Sequence, residues 1–231
     1  MLDRARYLRK RMPRPREILG RAVDVATGPF SGNTLLCAAA LDGRRALALT
    51  FDDGPSREAT PAIAALLEEN GARGTFFVVG DRIAGSEAVL RRLAAAGHEL
   101  ANHTYNHAHT TYLSRDELRQ EIVSTSAAIE ELGASVSFVR PPFGKDRRRF
   151  VSLADELGLR VALWSIDSGD STGYPPEKIV TTVEEGAQPG SIVLFHDHGK
   201  RTTETIQACR HLVPALRDAG FELVTLSDLV A

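Results

Sequence analysis

The chain has 231 residues, of which 43% are hydrophobic and 25% charged, and its formal net charge is −2. These values are ordinary for one large globular domain and give no indication of a nucleic-acid-binding surface. No apolar stretch approaches the ~20 residues of a membrane-spanning helix. Cys37 and Cys209 lack a paired spacing, so we expect two free thiols in a reducing compartment.

The chain opens with a basic segment. Residues 1–21 hold eight Arg or Lys and two acids, and they lack the apolar core of a secretory signal. One interpretation is a solvated tail or a short helix packed on the domain. The other is loose attachment to anionic lipid, which apolar side chains at helical spacing favour. We therefore expect residues 1–45 to form an extension and lead-in, residues 46–231 to form the domain, and the protein to be cytoplasmic or membrane-peripheral.

From residue 46 onward, short apolar runs alternate with segments of helical period. The runs read ALALTF, GTFFVVG, HELANH, VSFVR, RVALWSI, GSIVLFH and FELVTL. The helical patterns predict helices at residues 59–69, 86–96, 115–132, 147–157, 177–187 and 203–219. Ser114 and Glu117 have the spacing of a capping box. Five glycines predict helix ends: Gly71, Gly97, Gly133, Gly158 and Gly220.

Continuous apolarity within the runs is typical of parallel strands that helices cover on both faces. Seven strands with six intervening helices indicate a barrel-like α/β domain, with a doubly wound sheet as the alternative. Polar residues follow the ends of five runs: Asp52, Asp53, His103, His107, Arg140, Asp167, Asp170 and His196. Active sites of parallel α/β proteins lie at this edge of the sheet, so we expect these side chains to share one site.

The spacing of His103 and His107 predicts a metal site. Imidazoles four residues apart can face the same way on one helical turn and bind one cation, although the same spacing also arises by chance. Asp53 would complete three protein ligands and leave a coordination position open for water. Asp52 would then be free to take a proton from that metal-bound water.

Three further positions have a catalytic interpretation, and for Arg140 and His196 an ordinary one is also open. Arg140 can pair with Asp52 and keep it ionised, or it can be a surface residue before a Pro-Pro turn. Phe143 carries the first backbone N–H after that turn, a plausible oxyanion contact. His196 can donate a proton to a leaving amine while Asp170 orients it, or it can be a structural histidine.

The other histidines lack such a placement in the pattern. We assign His98 and His109 to the surface or to local hydrogen bonds, and we place His198 outside the site.

Five motifs together resemble a known family. TFDDGP, HTYNH, RPPFG, DSGDS and LFH occur in the order found in the polysaccharide deacetylases of carbohydrate esterase family 4, the NodB-homology domain. The resemblance runs from about residue 46 to the end of the sequence. It implies a distorted (β/α) barrel of about seven parallel strands and one divalent ion, usually zinc, with cobalt, nickel or manganese as alternatives. It also implies hydrolysis of an N-acetyl or O-acetyl group from an amino sugar, oligosaccharide or polysaccharide.

The resemblance implies a role for each matched residue. It gives Asp52 as base, Arg140 as its tether, Phe143 N–H as oxyanion donor, His196 as acid, Asp170 as the partner of that acid, and Asp53, His103 and His107 as metal ligands. Ser171 follows Asp170 where the family usually has a Trp that forms an apolar side of the sugar groove. Trp164 lies earlier in the same segment.

Two alternatives remain open at this point. A deformylase acting on a lipid-linked amino sugar would use the same residues with a smaller acyl pocket. A non-catalytic carbohydrate-binding relative would be expected to lack Asp52, a histidine ligand or His196, and the chain keeps them all. The basic N-terminus and Ser171 favour a small or lipid-linked amino sugar over mature cell-wall polymer as the substrate.

Overall fold

The computed structural model describes residues 34–35, 44–145 and 147–231. The basic segment at residues 1–21, most of the lead-in and Cys37 lie outside these described residues. Within them, nine strands form one sheet in which every pairing is parallel. No helix in the described part of the chain is both long enough and apolar enough to cross a bilayer.

The strands follow the predicted runs. They are β1 (Thr34–Leu35), β2 (Ala46–Asp52), β3 (Thr75–Val78), β4 (Glu99–Asn102), β5 (Phe138–Val139), β6 (Arg160–Ala162), β7 (Ile166–Asp167), β8 (Ile192–His196) and β9 (Glu222–Val224). The helices are α1 (Ala59–Glu69), α2 (Glu87–Ala95), α3 (Arg115–Glu130), α4 (Arg147–Glu156), α5 (Pro176–Gly186), α6 (Thr202–Asp218) and α7 (Leu226–Leu229). All six predicted helices are present, with ends within two residues of those expected.

The strand order is β1-β6-β5-β4-β3-β2-β8-β7, and β9 also pairs with β2. From β2 to β6 each strand lies beside its successor in the chain, so the sheet winds in one direction and curls into a half-barrel surrounded by helices. The predicted barrel class is therefore confirmed. The run RVALWSI differs from expectation because it breaks at Trp164 into β6 and β7, and the short strand β1 was not predicted.

Local signals at the helix ends are confirmed. Ser114 and Glu117 form both hydrogen bonds of a capping box at the start of α3. The five glycines predicted to end helices all have the positive φ of a left-handed cap.

Side chains alternate between the two faces of a strand, so every second side chain of a strand points into the barrel. In β2, Leu47, Leu49 and Phe51 pack under the helices, whereas Ala46 and Ala48 belong to a separate cluster inside the barrel. Alanines on the inner face leave room for the sheet to curl. Continuing the same alternation places the side chain of residue 52 in the interior row, although its neighbours are apolar.

Candidate active site

Asp52 and Arg140 form a buried ion pair at the carboxyl edge of the sheet. The Arg140 guanidinium donates from Nη1 to Asp52 Oδ1 at 2.6 Å and to Thr50 Oγ1 at 2.9 Å. It also donates to two backbone carbonyls at the end of β6, at 2.9 Å each, and lies 3.9 Å from the centre of the Phe77 ring. Arg140 is fully buried and not a surface residue. This network fixes Asp52 and leaves its Oδ2 3.6 Å from His103 Nε2.

Asp53, the next residue, lies beside the two predicted histidine ligands. Its Oδ1 is 3.0 Å from His107 Nε2 and 3.5 Å from His103 Nε2. Burial opposes ionisation of this carboxyl, but the two imidazoles outweigh burial and hold the pKa of Asp53 well below its usual range. Asp53 Oδ1 is nevertheless buried without receiving a hydrogen bond from any described residue.

These three residues fit a divalent cation. A tetrahedral ion with bonds of ~2.0–2.1 Å sets its ligand atoms ~3.3 Å apart, close to the two distances from Asp53 Oδ1. The buried oxygen without a donor is the atom that such an ion would satisfy. His103 Nδ1 lies 2.9 Å from the Arg140 carbonyl oxygen, which accepts its proton and leaves the Nε2 lone pair facing Asp53. The predicted ligand set is thus assembled in one place.

The two histidines are not on a helical turn, contrary to prediction. His103 follows β4 directly, and His107 lies in a loop with a left-handed φ of 52°. Glu121 on α3 accepts the backbone N–H groups of Tyr105 and Asn106 at 2.8 and 2.7 Å. Because Glu121 is itself buried, it anchors the loop to the body of the domain, and the loop rather than a helix brings the imidazoles together.

His196 and Asp170 form a second charge pair. His196 lies beside Asp52 in the register of β2 and β8, and its Nδ1 is 2.8 Å from Asp170 Oδ1. Asp170 also accepts the backbone N–H of His196 at 2.7 Å and the Thr205 hydroxyl at 2.9 Å. Burial lowers the pKa of His196, but Asp170 and the other carboxylates of the site outweigh burial and raise that pKa to about 9. The imidazole therefore holds a proton at neutral pH.

The turn that carries Asp170 also contains the predicted position of the groove wall, Ser171. Asp167 is exposed, and its Oδ1 accepts the Gly169 N–H at 2.9 Å, so it shapes the turn rather than entering the site. Ser171 lines a pocket of about 290 Å³ that Asp53 and His196 also line. His198 lines this pocket too, so the prediction that it lies outside the site is wrong: the chain turns back after β8.

Neither nearby aromatic residue replaces the family Trp in that pocket. The Trp164 ring lies 5.6 Å from the Arg140 guanidinium and packs against Gly144, where an added Cβ would come within 2.8 Å of it. Tyr174 packs against Gly169. Neither ring lines the pocket beside Ser171, so this wall is more polar than the resemblance implies.

Phe143 lies on the other side of the cation set. Its φ of 60° is left-handed, and its ring stacks on His109 with centroids 4.0 Å apart and meets His107 edge-on at 4.9 Å. Tyr112 meets His109 edge-on with ring centroids 5.8 Å apart, so Phe143, His109 and Tyr112 form an aromatic strip beside the cation set. His109 is exposed as expected, and the oxyanion role of the Phe143 N–H stays a prediction.

Sequence reasoning missed Asp197, which follows His196. Its carboxyl is fully buried, accepts a hydrogen bond from the Thr60 hydroxyl, and lies where a Cβ on Gly54 would be 2.3 Å away. Burial above all, reinforced by the charge of Asp53, raises the pKa of Asp197 to about 7. An acid directly after a buried run was the available signal. His98, by contrast, is buried away from the site, where it accepts the Gly74 N–H at 3.1 Å and its Nε2 lies 3.3 Å from Glu68 Oε1.

Fold and site together define a parallel α/β protein whose carboxyl edge joins a cation-binding set to two buried charge pairs, an arrangement suited to hydrolysis. A sequence profile of the polysaccharide deacetylase family matches residues 41–162, and the chain belongs to that family.

Several relatives share most of the chain. It is 32% identical over 191 residues to a peptidoglycan-N-acetylglucosamine deacetylase of Bacillus cereus, covering 82% of this chain and 90% of the relative. It is 32% identical over 202 residues to a chitooligosaccharide deacetylase of Bradyrhizobium, covering 82% and 92%. The solved Bc1960 peptidoglycan N-acetylglucosamine deacetylase superposes with a TM-score of 0.81 at 30% identity, covering 85% and 92%. BA3943, a CE4 family pseudoenzyme of Bacillus anthracis, gives 0.79 at 25%, covering 87% and 70%.

Proposed function

We propose that this protein hydrolyses the acetamido group of an N-acetylated amino sugar, releasing acetate and a free amine. One observation carries the proposal. Asp52, the partner of Arg140, ends β2, and His196, the partner of Asp170, ends the neighbouring strand β8. Both pairs lie beside the cation-binding set. A base and an acid thus face a common space from adjacent strands, as amide hydrolysis requires.

The two pairs have different tasks. Asp52, held in place by the Arg140 guanidinium, takes a proton from the attacking water through Oδ2. His196 donates a proton from Nε2 to the leaving amine nitrogen, because its Nδ1 is already committed to Asp170. Asp53, His103 and His107 would hold a divalent cation, zinc by family resemblance, which when bound polarises the acetyl carbonyl and acidifies water. The Phe143 N–H would donate to the developing oxyanion.

The aromatic strip and the relatives support a sugar substrate. Phe143 and Tyr112 are exposed, and aromatic faces pack well against the apolar face of a sugar ring. One relative is a peptidoglycan-N-acetylglucosamine deacetylase and another is a chitooligosaccharide deacetylase, so we propose an N-acetylglucosamine unit as the substrate here. The competing substrate is a lipid-linked amino sugar, and the competing acyl group is formyl. We propose a cytoplasmic or membrane-peripheral location for the protein.

An acyl-release assay tests the proposal. Zinc- or cobalt-loaded protein is incubated with chitotetraose, a peptidoglycan fragment and a lipid-linked N-acyl amino sugar, and acetate and formate are measured separately. We expect acetate release that chelation abolishes and metal restores. His196→Ala should lower kcat far more than it raises KM, because proton donation acts only in the transition state.

His211→Ala is the matched control, since it removes an exposed imidazole from α6 and should retain activity. Formate release without acetate release would replace deacetylase by deformylase. Folded, metal-loaded protein that binds chitotetraose but releases neither acid would identify a non-catalytic relative.

A further inference from the structure

The pocket beside His196 carries positive charge that the proposed reaction does not use. Lys200 and Arg201 line it together with Ser171 and His198, and we call it the cationic pocket. Its two acidic lining residues, Asp53 and Asp170, are committed to the cation set and to His196. The charge that remains available to a ligand is therefore positive.

Neither cation has a strong partner of its own. Lys200 makes no hydrogen bond or ion pair with any described residue, and Arg201 has a contact with Glu204 at 3.7 Å. The Arg201 guanidinium lies against Gly173, 3.0 Å from where a Cβ would be, so the absent side chain gives it room beside the segment that carries Ser171. These are the conditions under which a guanidinium is available for an anionic ligand.

The backbone at the start of α6 also carries partial positive charge towards the cationic pocket. Arg201 is the N-cap of α6, a helix of 17 residues, and it forms no side-chain cap. The first turn of a helix exposes N–H groups and carries partial positive charge. Thr202 and Thr205 of this turn line the cationic pocket, so side-chain and main-chain charge converge there.

We propose that the cationic pocket binds an anionic substituent of the amino sugar, a carboxylate or a phosphate, next to the acetamido group under attack. The proposal rests on the proposed deacetylase function and names its substrate class. Because His196 and Asp53 line the same pocket, a group bound there lies beside the reacting centre. The volume of about 290 Å³ leaves ample room for one small charged group. Ser171 in place of an aromatic residue leaves that space open.

Three substrates that share an N-acetylglucosamine unit and differ in charge test this inference. They are N,N′-diacetylchitobiose, which is neutral, the N-acetylglucosaminyl-N-acetylmuramic acid disaccharide, which carries a carboxylate, and N-acetylglucosamine 1-phosphate. The measured quantity is the ratio of kcat/KM for each anionic substrate to that for the neutral one. We expect the wild type to prefer at least one anionic substrate roughly tenfold, and the preference to weaken as salt is raised.

The variant Lys200→Gln/Arg201→Gln should lose this preference, whereas Arg210→Gln, which removes an exposed charge further along α6, should keep it. The anionic substrate with the larger ratio of kcat/KM shows whether the cationic pocket binds a carboxylate or a phosphate. Equal kcat/KM for all three substrates in the wild type, or a preference that survives in the double variant, would overturn the inference.

A titration of metal-loaded Asp52→Asn protein separates this inference from the proposed function. N-acetylglucosamine 1-phosphate should bind more tightly than N-acetylglucosamine, and the added substitutions Lys200→Gln/Arg201→Gln should remove the difference. If this difference in binding is found but the wild type releases no acyl group from any substrate, only the proposed deacetylase function is contradicted. Acyl release without any difference in binding would contradict the cationic pocket alone.

Discussion

The Asp52 side of the site and the Asp53 side are built from different parts of the chain. Asp52 ends a strand, its side chain points into the barrel by strand alternation, and Arg140 satisfies it from the neighbouring wall. Asp53 has a left-handed φ of 73° and meets two histidines, one of which lies in a loop. One of its oxygens is buried without a hydrogen bond from any described residue.

The difference shows how one site can contain two halves: a rigid half around Asp52, whose side chain is fixed by protein contacts, and a receptive half around Asp53, which is open to an ion. A carboxylate with one oxygen fixed by a buried arginine and the other left open is held in place for proton transfer. A carboxylate with an unsatisfied buried oxygen is suited to an ion that comes from solution. Left-handed φ values at Asp53, Thr104 and His107 are the conformational cost of the receptive half.

The largest predicted effect separates the two aspartates. Asp52→Asn should lower kcat by about 10²–10⁴-fold and retain bound metal, because it removes the base and no ligand. Asp53→Asn should lose metal and, with it, activity. Metal content by mass spectrometry and steady-state kinetics check both, with circular dichroism as the control for folding. An exchange of the two phenotypes would show that the division of tasks is wrong.

A second prediction concerns the anchor of the histidine loop. Glu121 Oε2 accepts both backbone N–H groups and Oε1 accepts the Asn106 side-chain amide at 2.7 Å, so Glu121→Gln removes the negative charge and turns an NH₂ towards one of these donors. The loop should loosen, and metal affinity should fall by about 10-fold or more. Competition with a chromogenic chelator measures the affinity. Glu130→Gln, at the exposed end of the same helix, is the control. Unchanged affinity would mean that the loop keeps its shape without Glu121.

The third prediction uses the raised pKa of His196. The acid must be protonated, so activity should fall as pH rises through its pKa of about 9. Asp170→Asn removes the main cause that raises this pKa, and the alkaline limb of the kcat profile should move to lower pH by about 1–2 units. Asp167→Asn, in the same turn, should leave the limb in place. An equal shift in both variants would assign the effect to loop geometry rather than to the charge of Asp170.

The smallest predicted effect lies at Asp197, whose buried carboxyl lies beside Gly54 and Thr60. Its pKa is about 7 in the folded protein and ~3.9 in the unfolded chain. Between these values the folded state binds more protons, so stability decreases as pH rises from about 4 to about 7. Asp197→Asn cannot ionise and should gain roughly 1 kcal/mol or more over wild type at pH 8 relative to pH 5.

Thermal unfolding of metal-free protein at the two pH values checks this prediction. Asp218→Asn, an exposed substitution on α6, provides the control. A difference in Tm between Asp197→Asn and wild type that stays constant with pH would contradict the assignment.

The sequence foretold most of the fold because its signals are local. Helix ends followed from glycines and from the Ser114–Glu117 box, and strand positions followed from continuous apolar runs. The break at Trp164 was not predictable, because whether an apolar run pairs along its whole length depends on the curl of the neighbouring strands. The helical turn expected for His103 and His107 was wrong because Glu121, distant in sequence, holds a loop there.

By itself, the sequence determined the parallel α/β class and the residue types that end its strands, since periodicity and spacing are properties of the local chain. Only the tertiary structure decided how these residues divide their tasks. Whether Arg140 is a surface residue or a buried partner of Asp52 depends on a strand 88 positions away. Whether Lys200 and Arg201 face solvent or the site depends on how the chain turns after β8. Burial and charge act through space, so their effects on these side chains exist only once the sheet has curled around them.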